Sequence, residues 1–147
     1  MGFECIRRIE WDAMHRIPNH EGACKAYHGH RYVAEIHCSS DQLDELGRVV
    51  DFGVIKEKVG GWIDKNLDHT AIFDMEDRNP VTLAIISENK EFGKPAFIMD
   101  CPPTAENIAR LIYKKSKELL NEFGISIDRV RLWETPNCSA IWTENDN

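Results

Sequence analysis

Two long segments with the alternating pattern of β-strands, joined by a single loop, constrain the fold of this 147-residue chain most strongly. The first runs from Phe3 to His15 and the second from His30 to Cys38. Two strands joined by one loop favour an antiparallel pair, in which the end of the first lies beside the start of the second. We therefore expect His15 to lie at the same end of the sheet as the histidines that open the second strand.

The loop ends in the sequence Ala-Cys-Lys-Ala-Tyr-His-Gly-His, residues 23–30. Side chains two residues apart in an extended chain point to one face, so His28 and His30 can direct their rings at one point. Together with His15 they form a three-histidine set of the kind that holds catalytic zinc (Zn2+) with one position open. Cys24 either lies beside such a metal and is activated by it, or is a small buried hydrophobic residue.

Composition narrows the possible partners and compartment. The net charge is −7, without a basic block, which argues against binding of nucleic acid or of an anionic membrane surface. No apolar run approaches the roughly 20 residues of a membrane span. Five cysteines are scattered without a C-x-x-C motif, which favours a reducing, cytoplasmic compartment over a disulfide framework. The length predicts a single domain over residues 1–147.

The rest of the pattern predicts two main helices and two further strands. A helix is expected over Val50–Leu67, weakened at Gly60-Gly61, and another from a cap at Thr104 to about Phe123. The smaller expected elements are a helix over 81–87, a charged loop over 88–95, a short strand over 96–99, strands over 128–133 and 139–142, and a frayed tail over 145–147. The main β-β-α-α-β-β order predicts an α+β fold, a four-stranded antiparallel sheet with helices on one face. Its exposed edges favour closure by oligomerisation.

Several other residues are candidates for proton transfer or binding. Asp68 and His69 form either a polarised pair or two surface polar residues at a helix end. Glu134, on the inward face of the third strand, either binds a guanidine-like edge or faces solvent. Glu106 has a sufficient explanation as a first-turn acid that stabilises a helix N-terminus. The remaining histidines, His20 and His37, are expected at the surface.

Six motifs, in this order, resemble those of the 6-pyruvoyl-tetrahydropterin synthase family. They are Ala13-Met14-His15-Arg16, Cys24-Lys25-Ala26-Tyr27-His28-Gly29-His30, Val50-Asp51-Phe52-Gly53, Leu67-Asp68-His69, Pro103-Thr104-Ala105-Glu106-Asn107 and Glu134-Thr135-Pro136. The three residues between Cys24 and His28 resemble the carboxytetrahydropterin-forming branch. The pyruvoyl-forming branch usually has a longer gap, and an aldolase-like branch typically has Glu in place of the cysteine.

The resemblance implies a tunnelling fold, in which the sheets of several subunits close a barrel, commonly a hexamer of two trimers with active sites between subunits. It also implies roles for nine residues: zinc ligands His15, His28 and His30, catalytic base Cys24, relay pair Asp68 and His69, ring-binding and relay residue Glu134, and pterin contacts Thr104 and Glu106.

The reaction implied is the zinc-dependent conversion of 7,8-dihydroneopterin triphosphate to 6-carboxy-5,6,7,8-tetrahydropterin, with release of acetaldehyde and triphosphate, in queuosine biosynthesis. Two alternatives stay open: a 6-pyruvoyl-tetrahydropterin-forming triphosphate lyase, and a non-catalytic module that binds zinc or a pterin.

Overall fold

A computed structural model of the chain describes residues 2–144, so the expected tail at 145–147 lies outside the described residues. Six strands form one mixed sheet in the order β4-β3-β1-β2-β5-β6. They are β1 (Phe3–His15), β2 (His28–Ser40), β3 (Thr70–Asp74), β4 (Phe97–Met99), β5 (Ser126–Thr135) and β6 (Cys138–Thr143). The α+β class is confirmed, whereas the predicted four-stranded antiparallel sheet is wrong.

The two additional strands explain this error. β3 runs parallel to the end of β1, and β4 runs parallel to β3, so both extend the sheet on the far side of β1. All five residues of β3 are buried, and its sequence Thr-Ala-Ile-Phe-Asp shows no alternation. Parallel strands covered on both faces lose the period of two that reveals half-buried strands. Of the two, only β4 was expected as a strand, and its place in the sheet was not.

The helices are α1 (Phe52–Ile55), α2 (Gly61–Asn66), α3 (Pro80–Glu91) and α4 (Ala105–Leu119). A π-helical turn, Lys56–Gly60, joins α1 to α2, which places a distortion at the predicted Gly60-Gly61 weakness. α3 continues four residues beyond the predicted end at 87, into the expected charged loop. The last turn after α4 is a 3-10 turn over Asn121–Phe123, and Gly124 ends it in the left-handed conformation, with φ at 65°.

The core lies on one face of the sheet. Inward side chains of β1, β2 and β5 pack there against α4 and the helical segment from α1 to α2. On β1 these are the odd-numbered residues and on β2 the even-numbered ones, because β1 pairs antiparallel with β2 and places Trp11 opposite Tyr32. The same parity directs the side chains of His15, His28 and His30 to this face.

His37 is a correction to the predicted surface histidines. It is buried, with Nδ1 2.7 Å from a carboxylate oxygen of Glu4 and Nε2 3.4 Å from one of Glu35. β2 is flanked by β1 and β5, so the neighbouring side chains cover a residue whose own sequence context looks solvent-exposed.

Candidate active site and metal centre

The three predicted metal ligands meet at the end of the β1–β2 pair. His15 lies directly opposite His28 in the strand register, and His30 lies opposite Ala13. One nitrogen from each ring falls within 4.8 Å of the other two. Three nitrogens at about 2.0–2.1 Å from one ion would lie roughly 3.4 Å apart, so small side-chain adjustments suffice to surround a zinc ion.

Hydrogen bonds fix the rings in the form that a metal requires. The Nδ1 atoms of His15 and His28 lie 2.8 Å from the Pro103 carbonyl and 2.7 Å from the Ala26 carbonyl. A carbonyl only accepts, so each neutral ring carries its proton on Nδ1 and a lone pair on Nε2. Those two Nε2 atoms lie 3.0 Å apart. Two facing lone pairs repel unless a cation lies between them, and backbone carbonyls behind the ligands are the usual support of metal-binding histidines.

The electrostatics favour neutral ligands. Burial lowers the pKa of His15 to about 4, with further lowering from His28 and His30 against the raising effect of the Pro103 carbonyl. Burial also lowers the pKa of His30, although the charge of Glu134 opposes this. The buried Nε2 of His30 has no hydrogen-bond partner among the described residues, and Glu134 lies 3.4 Å away in poor hydrogen-bond geometry. The donor set therefore fits a divalent cation.

A recess of about 240 Å³, here called the Cys24 recess, adjoins this cluster. The loop between β1 and β2 forms one wall, where Cys24 stands in a 3-10 turn over Ala23–Lys25. The start of α4 forms another wall with Thr104 and Glu106. Thr104 also caps this helix, because its hydroxyl accepts a hydrogen bond from the Asn107 N–H at 3.2 Å. The structure thus brings these three candidates together.

Glu134 connects the Cys24 recess with the histidine cluster. It lines the recess and its carboxylate faces His30. The pairing of β5 with β6 passes from Trp133 opposite Ser139 to Thr135 opposite Cys138, so Glu134 is the extra residue of a β-bulge. Bulges redirect side chains, and this one holds a largely covered carboxylate beside a cavity.

Asp68 and His69 form a hydrogen-bonded pair. One Asp68 oxygen accepts the Asp12 backbone N–H at 3.1 Å, and the other lies 2.9 Å from His69 Nδ1. Burial would raise the pKa of Asp68, but the bonds from Asp12 and His69 and the charges of His69 and Lys94 together lower it. His69 adopts φ 58° and is anchored by its N–H to the Asp12 carbonyl at 2.7 Å. Its ring is mostly exposed and is oriented by the carboxylate.

This pair and Cys24 do not share a recess. His69 lines a separate depression with Asp12, Met14 and Asn89. Asp12 and Met14 have the strand parity of the sheet face opposite the core, whereas Cys24 lies with Glu134 and the start of α4. Within one described chain, six of the nine predicted residues therefore line two separate cavities: Cys24, Thr104, Glu106 and Glu134 line the Cys24 recess, whereas His30 and His69 line the other depression.

Sequence reasoning missed a histidine of the Cys24 recess. His20, expected at the surface, lines the recess together with Cys24. Its position four residues before Cys24 in the same loop is the available signal, but a loop of this length does not specify which side chains turn inward.

Comparison with known proteins identifies the family of the chain. A family model described as 6-pyruvoyl tetrahydropterin synthase matches residues 4–145. The chain belongs to this family. It is therefore a lyase-type enzyme of the tetrahydropterin synthase kind, and the predicted resemblance is confirmed.

Two curated relatives carry the same name. A Rickettsia bellii protein named 6-carboxy-5,6,7,8-tetrahydropterin synthase is 41% identical over 138 residues, covering 92% of this chain and 96% of its own. A Haemophilus influenzae protein with the same name is 31% identical over 148 residues, covering 97% and 99%.

Solved structures of low sequence identity share the fold. A Wolinella succinogenes protein described as uncharacterized superposes with a TM-score of 0.84 at 19% identity, covering 99% of both chains. The Caenorhabditis elegans 6-pyruvoyl tetrahydropterin synthase superposes with a TM-score of 0.70 at 18% identity, covering 99% of this chain and 97% of its own.

No helix among residues 2–144 combines the length and apolar character needed to cross a bilayer.

Proposed function

We propose that this enzyme converts 7,8-dihydroneopterin triphosphate and one water to 6-carboxy-5,6,7,8-tetrahydropterin, acetaldehyde and triphosphate, as a step of queuosine biosynthesis. The observation that carries the proposal is the Cys24 recess, which the Cys24 thiol and the Glu134 carboxylate line together, with that carboxylate 3.4 Å from His30 of the three-histidine cluster. The names of the relatives that cover nearly the whole chain favour this product over the pyruvoyl-forming alternative. The cytoplasm is the proposed compartment.

The proposed metal is zinc, held by His15, His28 and His30. Bound there, zinc would act as a Lewis acid toward substrate oxygens next to the carbon that loses a proton. The carbonyls of Pro103 and Ala26 hold the first two rings in the ligand tautomer. Removing either support would weaken metal binding without removing a ligand, because outer contacts typically contribute about 10–100-fold to affinity.

Three side chains carry the proposed substrate binding and the first proton transfer. Glu134 binds the amino-pyrimidine edge of the pterin, since a carboxylate accepts two parallel N–H bonds from such an edge. Thr104 and Glu106 complete the ring contacts at the start of α4. Cys24, on the opposite wall of the recess, removes a proton from the substrate side chain.

The second proton transfer is assigned to His69, oriented by Asp68. A hydrogen bond to a carboxylate stabilises an imidazolium, so this ring can accept a proton and return it. Because His69 and Cys24 lie in different cavities of one chain, we infer that His69 from one copy acts in the recess of another. The active sites would then lie between subunits of an oligomer closed edge to edge into a barrel.

Product analysis tests the reaction. Purified enzyme is incubated with 7,8-dihydroneopterin triphosphate, and the products are identified by mass spectrometry. The proposal predicts 6-carboxy-5,6,7,8-tetrahydropterin with stoichiometric acetaldehyde. A pyruvoyl product without acetaldehyde would establish the other branch, and recovery of unreacted substrate with the zinc-loaded enzyme would refute both.

The thiol assignment has a matched control within the same recess. Cys24→Ala should keep its zinc and lose at least about 100-fold in turnover, the lower end of what a positioned base contributes. Cys138→Ala changes another cysteine that lines this recess and should leave turnover near the wild-type rate. Turnover that survives in Cys24→Ala would show that another group removes the proton.

A further inference from the structure

His20 is a hydrogen-bonding residue of the Cys24 recess to which the proposed mechanism gives no role. It lies in the loop between β1 and β2 and lines the recess with Cys24, Glu106 and Glu134. Its side chain is 30% exposed. The two carboxylates come from α4 and β5, whereas His20 and Cys24 come from the loop.

The backbone fixes the position of the His20 ring. The preceding residue, Asn19, has φ at 64°, a left-handed conformation that few residues other than glycine tolerate but that asparagine adopts readily. The His20 N–H closes a turn to the Ile17 carbonyl at 3.3 Å. The ring lies close to Gly22, where a Cβ atom would be 3.4 Å from Cε1 and 3.5 Å from Nδ1.

The same contact determines the position of the ring proton. The backbone N–H of Gly22 donates to Nδ1 of His20 at 2.8 Å. A nitrogen that accepts this bond cannot carry a proton, so the ring is neutral and its proton is on Nε2. Glu21 does not alter this, because its carboxylate is 92% exposed and lies 4.0 Å from Nδ1. Nε2–H forms no hydrogen bond to the part of the chain that the structure describes, which leaves His20 with a fixed tautomer and a free donor.

The arrangement of acids in the recess indicates what this donor meets. With Glu134 and Glu106 assigned to the N–H groups of the pterin ring, the loop residues of the recess are left for the substituent at the other end of the molecule. That substituent is a three-carbon chain bearing hydroxyl groups. A hydroxyl oxygen accepts a bond from Nε2–H, whereas a methyl group at the same position leaves the donor unpaired.

We propose that His20 is a specificity-determining residue, whose Nε2–H donates a hydrogen bond to a side-chain hydroxyl of the bound pterin. The inference rests on the proposed function, in that it requires a pterin in the Cys24 recess. Sites that bind a substrate hydroxyl discriminate strongly against analogues that lack it, because the protein donor then stays unsatisfied. His20 thus selects pterins with a hydroxylated side chain over those with a plain alkyl group.

The test measures binding of two stable, fluorescent probes to the zinc-loaded protein. Neopterin carries the trihydroxypropyl side chain, and 6-methylpterin has the same ring without hydroxyls. His20→Ala should weaken neopterin binding about 3- to 10-fold, the effect of one neutral hydrogen bond, and leave 6-methylpterin binding unchanged. His20→Gln, which retains an N–H donor near the Nε2 position, should restore most of the neopterin affinity.

Glu21→Ala is the matched control, because this neighbour on the same loop does not line the recess, and both affinities should equal those of wild type. Equal neopterin affinity in wild type and His20→Ala would overturn the role of His20 and leave the proposed reaction intact. Equal weakening of both probes would overturn it as well, because His20 would then only support the loop. A wild-type protein that binds neither probe would refute both this inference and the pterin site.

Discussion

At the scale of single residues, the chemistry depends on which ring nitrogen of each histidine carries its proton. Carbonyls place the proton of His15 and His28 on Nδ1, which leaves Nε2 to a metal. A backbone N–H places the proton of His20 on Nε2, which makes that ring a donor. The Asp68 carboxylate lies 2.9 Å from Nδ1 of His69. Histidines of identical pKa in water thus acquire three different roles from their local contacts.

The metal assignment predicts a selective loss of zinc. His15→Ala leaves two ligands of three and removes the ring supported by the Pro103 carbonyl, so zinc affinity should fall at least about 100-fold. Competition with a chromophoric chelator, followed by elemental analysis, measures the change. His69→Ala removes an exposed imidazole outside the cluster and should keep its zinc. Equal zinc affinity in His15→Ala and wild type would exclude this cluster as the metal site.

At the scale of elements, sequence pattern predicted those parts that are buried on one side only. β1 and α4 show their period because one face meets the core and the other does not, and β2 alternates in sequence although Val33 and His37 on its other face are buried as well. All residues of β3 are buried, so its sequence shows no difference between two faces. Its place beside β1 depends on contacts between residues far apart in sequence. The bulge at Glu134 is likewise set by its pairing with β6. The histidine cluster was predictable because strand register alone brings its members together.

No role could be assigned from sequence to the segment that contains α3, and the structure provides one. Thr82, fully buried on α3, donates to an Asp77 carboxylate oxygen at 3.0 Å. Its oxygen in turn accepts the hydroxyl of Tyr27 at 2.6 Å, and that hydroxyl accepts a bond from Arg16 at 3.3 Å. Arg16 and Tyr27 flank the loop that carries Cys24. The chain of bonds therefore joins both ends of this loop to α3.

Breaking this network should destabilise the protein. Thr82→Val keeps the side-chain shape but removes the acceptor of the Tyr27 hydroxyl and one of the donors to the Asp77 carboxylate, at a cost of about 1–3 kcal/mol in unfolding free energy. Urea denaturation at one fixed protomer concentration measures the change. Ser87→Ala, on the exposed side of the same helix, should stay within about 0.5 kcal/mol of wild type. A Thr82→Val midpoint equal to that of wild type would show that the network contributes nothing to stability.

At the scale of the whole molecule, the described sheet has the end strands β4 and β6 and a further unpaired edge along much of β1. β3 pairs with β1 only over Ala13–His15, so the side of β1 away from β2 is unpaired along the rest of its length. β6 forms the opposite end of the sheet. Apolar side chains are exposed on both strands, with Ile6 at 47% and Ile141 at 52%. Unpaired edges of this kind pair with other chains unless they are blocked.

The small volume of the Cys24 recess also favours an active site completed by a second copy of the chain. Its volume of about 240 Å³ lies below the roughly 300–1,000 Å³ of typical small-molecule sites. A second copy docked along an open edge would deepen it and could supply the separate Asp68–His69 pair. Assembly and catalysis are then coupled, whereas metal binding is not, because all three histidines of the cluster come from one chain.

The variant Ile141→Lys tests whether assembly is coupled to catalysis and independent of metal binding. A lysine on an edge strand opposes pairing with another chain, so the variant should form smaller species than wild type in light scattering at equal protomer concentration. Its turnover should fall in proportion to the lost assembly, while its zinc content stays that of wild type. Leu46→Lys, at a loop residue that is 77% exposed and belongs to no strand, should change neither assembly nor turnover. A monomeric wild-type enzyme with full turnover would contradict the coupling, because both cavities would then have to serve one substrate within a single chain.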